Sequence, residues 1–314
     1  MKYVLKKTAT LILTLIIVSF LVFCAFSVIP GDPATSMLGT QATPEKVAAL
    51  REEMGLNDPL FLRFGNWLIR FMQGDMGMSY SYQMPVKDMI ANKIPITLTL
   101  TGIAFLMTVC LSIPLGILAA KHAGGIIDRT IYIMNQITMA IPPFFVGILM
   151  TYLFGIIFKW FMPGGYVSYE VNIGAFLSYM IWPAIAIALP KSAMTAKLLR
   201  SSVVEQSKLD YVRTAYSKGN TVNGVLWNHV LRNALIPVVT FMGMALADMI
   251  AGSIIIEQVF GIPGLGRILL TSISNRDYPV VQAIIVLLAV LVNVINLVVD
   301  LLYRYIDPRI QKKA

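Results

Sequence analysis

The side chains able to do chemistry are few, and most stand too far apart to act together. His122 and His229 are the two histidines, and no CxxC, HExxH or paired-carboxylate pattern accompanies them, so the donor spacing of a metal centre is missing. Cys24 and Cys110 fall in different apolar runs and imply no disulfide framework. No Gly-Lys pair occurs in the chain, which removes the Walker A phosphate loop. The glycine-rich GIPGLGR (261–267) follows an apolar run and lacks the strand–loop–helix setting of a nucleotide site; it reads as a tight extracytoplasmic turn. Ser79, in GMS (77–79), with His229 and Asn233 would be the parts of an intramembrane protease. The topology derived below puts Ser79 and His229 on opposite faces of a bilayer, and that idea fails on geometry. Met242, Met244 and Met249 fit packing better than a soft-metal path. Asp248 is the acid well inside an apolar run. Such residues are costly and tend to face a bundle interior or a wet cavity, so Asp248 is read as lining a path, with a polar contact between helices as the plainer alternative.

The elements that must carry these residues follow from composition. Of 314 residues, 57% are hydrophobic and 13% charged, against roughly 25% charged in soluble domains. Residues 11–29, 96–120, 130–158, 171–190 and 278–299 contain no charge, and 233–256 contain only Asp248. A span needs about 20 apolar residues, so the reading is an all-α polytopic membrane protein with six transmembrane helices. Lys2, Lys6 and Lys7 precede the first run, but that run is longer than a signal-peptide core and no A-x-A site follows; a retained helix is expected. Lys and Arg gather at the N-terminus and in 121–129, 191–232 and 304–313, which favours an N-in, C-in orientation. The net charge of +9 is then a topological signature, and nucleic acid is not an expected partner.

Outside the spans, TPEKVAALREEMG predicts a short helix with Thr43 as N-cap, Pro44 at its first position and Gly55 past its end. LFLRFGNWLIRFMQ (60–73) reads as an interfacial helix in the lipid headgroup region, with docking of an external partner as the sharper alternative. Pro142-Pro143 predicts a kink within 130–158. No repeat, low-complexity tract or heptad pattern is present.

The segment DYVRTAYSKGNTVNGVLWNHVLRNALIP (210–237) is polar and basic in this apolar chain. A helix over about 201–217 would align Leu209, Val212, Ala215 and Tyr216 on one side, with Asp210, Arg213, Thr214 and Ser217 on the other. Gly219 fits a left-handed stop, and Asn220 or Thr221 can cap a second helix whose stripe is Val222, Val225, Leu226 and Val230. Either this helix–turn–helix is a basic anchor on lipid headgroups or it is offered to a cytoplasmic partner.

DYVRTAYSKG followed by HVLRNALIP resembles the cytoplasmic EAA loop of ATP-binding-cassette importer permeases, nearest the dipeptide/oligopeptide/nickel class. The Glu-Ala-Ala places hold Arg213, Thr214 and Ala215, the glycine is Gly219, and the later Leu-Pro is Leu231-Arg232 with proline displaced to Pro237. GDPA (31–34), MGLNDPL (54–60), GDMGMSY (74–80) with PV (85–86), IPITLTL (94–100), IPPFF (141–145), EQVFGIPGLGR (257–267), NRDYPVVQ (275–282) and NLVVDLLYRYIDPRI (296–310) continue the resemblance in order.

That resemblance implies a type I ABC importer permease-like architecture. Residues 1–95 would form an N-terminal helix plus extracytoplasmic segment, and 96–314 a five-helix core with the coupling loop at about 201–232. It implies a homologous second permease enclosing a translocation path, two cytoplasmic ATP-binding subunits, and an extracytoplasmic substrate-binding protein, with membrane lipid around the spans. Alternating access would be driven by ATP. The chain itself would bind no cofactor and be no enzyme; ATP and Mg would sit on the partner subunits. Asp210, Tyr211, Arg213, Thr214, Ala215 and Gly219 would couple to the ATPase, Gly219 supplying the turn and Ala215 a close approach. Asp248 would line the path, leaning toward a cationic cargo. Cargo would be di- or oligopeptides, with nickel or a metal–chelator complex as the alternative, and the location a bacterial or archaeal cytoplasmic membrane. A self-sufficient secondary transporter is the remote alternative.

Overall fold

The computed structural model describes residues 2–28, 32–39, 42–53 and 55–306. Parts of the GDPA, MGLNDPL and IDPRI motifs lie outside them. The chain forms two compact units: Met1–Ile96 with Pro263–Val294, and Thr97–Ile262 with Ile295–Ala314.

In the first unit, α1 (Lys2–Val28) carries an apolar membrane-length stretch. After it come α2 (Pro33–Leu38) and α3 (Pro44–Glu53). The start of α3 follows from the sequence: Thr43 accepts the Lys46 amide on its hydroxyl and the Val47 amide on its carbonyl, while Gly55 turns the chain at φ +63°. The expected interfacial helix is α4 (Leu60–Met72), whose Phe61, Phe64 and Trp67 pack on Phe20 and Phe23 of α1. Arg63 lies over the Phe23 ring. This amphipathic helix rests its aromatic side on the far end of a span. The short α5 (Val86–Ala91) buries Val86 and Ile90 and leads into α6 (Ile94–Lys121).

The same unit joins two motifs far apart in sequence. Ser79 Oγ and the Ser81 amide donate to Asp277 Oδ2 at 2.5 and 3.3 Å, and the Tyr80 amide donates to Oδ1 at 3.0 Å. Ser79 and Asp277 are both fully buried. Burial, with Asp277 beside it, pushes the neighbouring Tyr80 phenol up to about 12. Ser79, a candidate nucleophile by type alone, is therefore a donor in a turn clamp.

In the second unit, α6 continues to Lys121 with Pro114 inside it. Next come α7 (Ile126–Ala140) and α8 (Pro143–Met150), α8 running on as a wider π-type turn over Thr151–Ile157. Ile141 and Pro142 are extended (ψ 123° and 141°), as residues before proline prefer. The expected kink is a break of 96° between two half-helices. Among the described residues there are thus five straight spans, or six with this bent pair taken as one.

The central helix is α9 (Ile173–Gln206), buried along most of its length against α7, α8 and α12 (Leu231–Phe260). Gly116 of α6 allows a close approach to α9: a Cβ there would meet Leu199 Cβ at 2.9 Å and the Ala196 carbonyl at 3.0 Å. Small residues let helices close in this way where lipid supplies no hydrophobic drive. Tyr179 donates to the Phe260 carbonyl at 2.6 Å, and buried Glu257 of α12 accepts from Thr97 of α6 at 2.5 Å.

The helix that holds the apolar run 171–190 continues past Pro190 and carries Lys191, Lys197 and Arg200. One expectation is corrected here. The turn at 261–264 is real, but Leu265 opens a further helix, α13 (Leu265–Ser274), before α14 (Tyr278–Ile306).

Candidate functional site

The polar segment folds as α10 (Asp210–Ser217), a turn, and α11 (Val222–Val225), which passes through a π-type turn (Leu226–Val230) into α12. The continuous helix expected over 201–217 is broken: α9 ends at Gln206, Leu209 is extended at ψ 153°, and α10 begins at Asp210. In an unbroken helix Val212 would sit about 180° around the axis from Val203. The break lets both enter one apolar cluster with Ile117, Leu199, Ala215, Val225, Leu226, Val230 and Leu231.

Each predicted site residue now has a place. Val212 and Ala215 face the protein's own core, at 1% and 5% exposure. The Ala215 methyl thus makes a close approach, but to this chain's helices. Leu209 and Tyr216, expected in the same stripe, are exposed, because a helix of two turns can seat only a narrow face. Tyr211 is half-buried and donates its hydroxyl to Gln206 Oε1 at 2.9 Å, across the break. Asp210 and Arg213 project outward with 96% and 80% of their side chains exposed, 3.6 Å apart. Thr214 lies on that outer side, its hydroxyl bonded to the Asp210 carbonyl. In the second stripe Val225, Leu226 and Val230 are buried, while Val222 is exposed.

The turn is fixed by sequence. Gly219 adopts φ +82°, Asn220 Nδ2 reaches back to the Ala215 carbonyl at 3.0 Å, and Thr221 Oγ1 accepts the Gly224 amide at 3.2 Å. Lys121 Nζ, at the end of α6, donates to Asn223 Oδ1 at 3.1 Å. Of the two candidate caps for the second helix, Thr221 is the one used, while Asn220 closes the end of α10. An added Cβ at Gly219 would meet nothing within 4 Å, so substitution is penalised by conformation alone, at roughly 1–2 kcal/mol for an ordinary residue in the left-handed region. Gly219→Val is therefore expected to lower the unfolding midpoint measurably and Gly219→Asn to stay near the parent. Equal midpoints for the two variants would remove conformation as the reason for glycine.

Sequence reasoning missed two ion pairs in this unit. Arg200 of α9 donates from Nε to Asp128 Oδ1 at 3.0 Å and from Nη2 to Oδ2 at 2.6 Å, while the Gly124 amide also reaches Oδ2 at 2.8 Å. Lys191 Nζ meets Asp248 Oδ2 at 3.0 Å. Asp248 therefore contacts a neighbouring helix, and 68% of its side chain is exposed. The available signal was a charged residue embedded in apolar periodicity, but nothing in the sequence paired 128 with 200 or 191 with 248.

The helices of this unit thus seat one face of the short α10 on their core and leave its charged face exposed. Comparison with known proteins places the chain. The chain matches the family described as binding-protein-dependent transport system inner membrane component over residues 112–312, and the N-terminal membrane-component family of the same systems over 1–101. It is 35% identical to a probable peptide ABC transporter permease protein of Sinorhizobium fredii, over 98% of this chain and 99% of that one. It is 36% identical to an oligopeptide transport system permease protein of Bacillus subtilis, over 98% and 99%. With a glutathione transport system permease protein of Salmonella typhi it shares 37% identity over the full length of both. The chain belongs to the binding-protein-dependent ABC importer permeases, in the peptide class.

Proposed function

We infer that this permease pairs with a homologous second permease to enclose a path for di- or oligopeptides, and that α10 is the handle by which an ATPase subunit drives it. The observation carrying this reading is the division of α10 into two faces. Val212 and Ala215 lock it to the core, while Asp210 and Arg213 are almost wholly exposed and contribute little to the chain's own packing. A helix held this way transmits a push on its outer face to α6, α9 and α12 as one body. The missing Walker A loop leaves the driving reaction to partner subunits, with ATP and Mg bound there. Two such subunits would each receive one loop, one from each permease. Their closure would switch the path between outward and inward access, with cargo delivered by an extracytoplasmic binding protein. The orientation is N-in and C-in, in a bacterial cytoplasmic membrane, with Asp248 lining the path.

The test reverses charge where folding is indifferent. Asp210→Arg with Arg213→Glu preserves a local pair but inverts the surface offered to a partner. In proteoliposomes holding the whole importer, uptake is expected to fall by about tenfold or more, as for disrupted charge complementarity at an interface, and copurification with the ATPase to weaken. Unchanged uptake and copurification would sink the assignment of α10.

A further inference from the structure

We propose that Lys191 and Asp248 form a zwitterion-selective station in the path, at which a passing peptide's ammonium meets Asp248 and its carboxylate meets Lys191. The proposal rests on the reading of Asp248 as path-lining and names the cargo chemistry that this place recognises.

Three observations carry it. First, the pair is embedded in two membrane-length helices, α9 and α12. Asp248 lies ~24 Å along α12 from Arg232 at 1.5 Å per residue. A carboxylate 68% exposed at that depth cannot face hydrocarbon without a large penalty; its exposed side must meet water or protein.

Second, Asp248 belongs to a stripe. Met244, Asp248, Ala251, Ile255 and Gln258 are all exposed and recur at spacings of four and three on one face of α12, while Met242, Ala245, Met249 and Ile256 on the other side are buried. The stripe mixes a carboxylate, an amide and apolar side chains, the composition of a wet wall that passes amphipathic cargo.

Third, the pair leaves bonding capacity on both partners. Lys191, with 20% of its side chain exposed, spends one donor on Asp248 Oδ2. Asp248 Oδ1 has no protein partner among the described residues. An acceptor oxygen and spare ammonium donors therefore stand side by side at one spot. Asp248 taken alone favours a cationic cargo. With Lys191 beside it the site has no net charge and cannot hold a simple cation by monopole attraction. A pair of opposite charges instead suits a molecule bearing both, and an unblocked peptide carries an ammonium at one end and a carboxylate at the other.

The experiment uses the complete importer in proteoliposomes, with alanyl-alanine, its N-acetyl derivative and its C-terminal amide each supplied at a concentration saturating the binding protein. Asp248→Asn is expected to lower the uptake ratio of free to N-acetylated peptide by about tenfold, the size of one charge-assisted hydrogen bond. Lys191→Gln should similarly lower the ratio of free acid to amide. If all three cargoes slow by one common factor, the pair is merely structural and the proposal is wrong. In a Cys24→Ser, Cys110→Ser background, Asp248→Cys should react with a membrane-impermeant thiol reagent in at least one nucleotide state. No reaction in any state would overturn both the path reading and the station. Reaction combined with unchanged cargo ratios would overturn the station alone.

Discussion

Asp277→Ala is expected to destabilise the unit containing the 74–83 turn more than any other single polar deletion in that unit. The substitution leaves the Ser79 hydroxyl and the Tyr80 and Ser81 amides without their acceptor in a place where Ser79 and Asp277 are fully buried. Leaving a buried group unsatisfied costs about 1–3 kcal/mol, and three donors are orphaned together, so a total of roughly 3 kcal/mol is the expected loss after local relaxation. Asp277→Asn should fall between, because one amide oxygen can still accept while the amide nitrogen opposes a donor. The measurement is the unfolding midpoint of the purified protein, with proteolytic nicking across the turn as a local readout. A midpoint within a degree of the parent for Asp277→Ala would show that the clamp is not what holds the turn.

Breaking the Asp128–Arg200 pair should give two unequal results. Arg200→Ala leaves a carboxylate with only 8% side-chain exposure held by the Gly124 amide alone, whereas Asp128→Asn frees a guanidinium that is 34% exposed and able to reach water. Removing one partner of a buried pair is costly chiefly through the charge left behind, and that charge is better hidden on the Asp128 side. Discounted for its position near the surface end of α7, the loss for Arg200→Ala is about 2 kcal/mol, and for Asp128→Asn about half that. Arg200→Lys should recover only part, since an ammonium cannot span both carboxyl oxygens in the forked geometry. Thermal unfolding of the three variants decides the order; an equal or reversed order would mean that Arg200 and not Asp128 is the group dependent on its partner.

Much of the architecture was legible because it depends on short-range rules. Uncharged runs announced the spans, Pro142-Pro143 announced the break between α7 and α8, and Thr43, Pro44 and Gly55 announced α3. In the polar segment, Gly219 and Thr221 take the conformation and the cap that their chemistry favours. The break at 207–209 was hidden, because neither glycine nor proline marks it. It exists so that Val203 and Val212 can share one cluster, a demand set by helices more than eighty residues upstream and some twenty downstream.

The polar pairs were hidden for the same reason. Ser79 with Asp277, Thr97 with Glu257, Asp128 with Arg200 and Lys191 with Asp248 each join residues whose sequence context is apolar or turn-like and says nothing of a partner. What the sequence determined by itself was a polytopic, all-helical membrane subunit with an amphipathic turn and no Walker A pattern, because hydropathy, capping and motif spacing are properties of neighbouring residues. What only the tertiary structure decided was where α9 stops and α10 begins, that Leu209 and Tyr216 stay outside the buried face, and that Asp248 of α12 has a lysine beside it. Those facts depend on which helices touch, and helix contact in an apolar surround is set by shape and by a few long-range polar bonds.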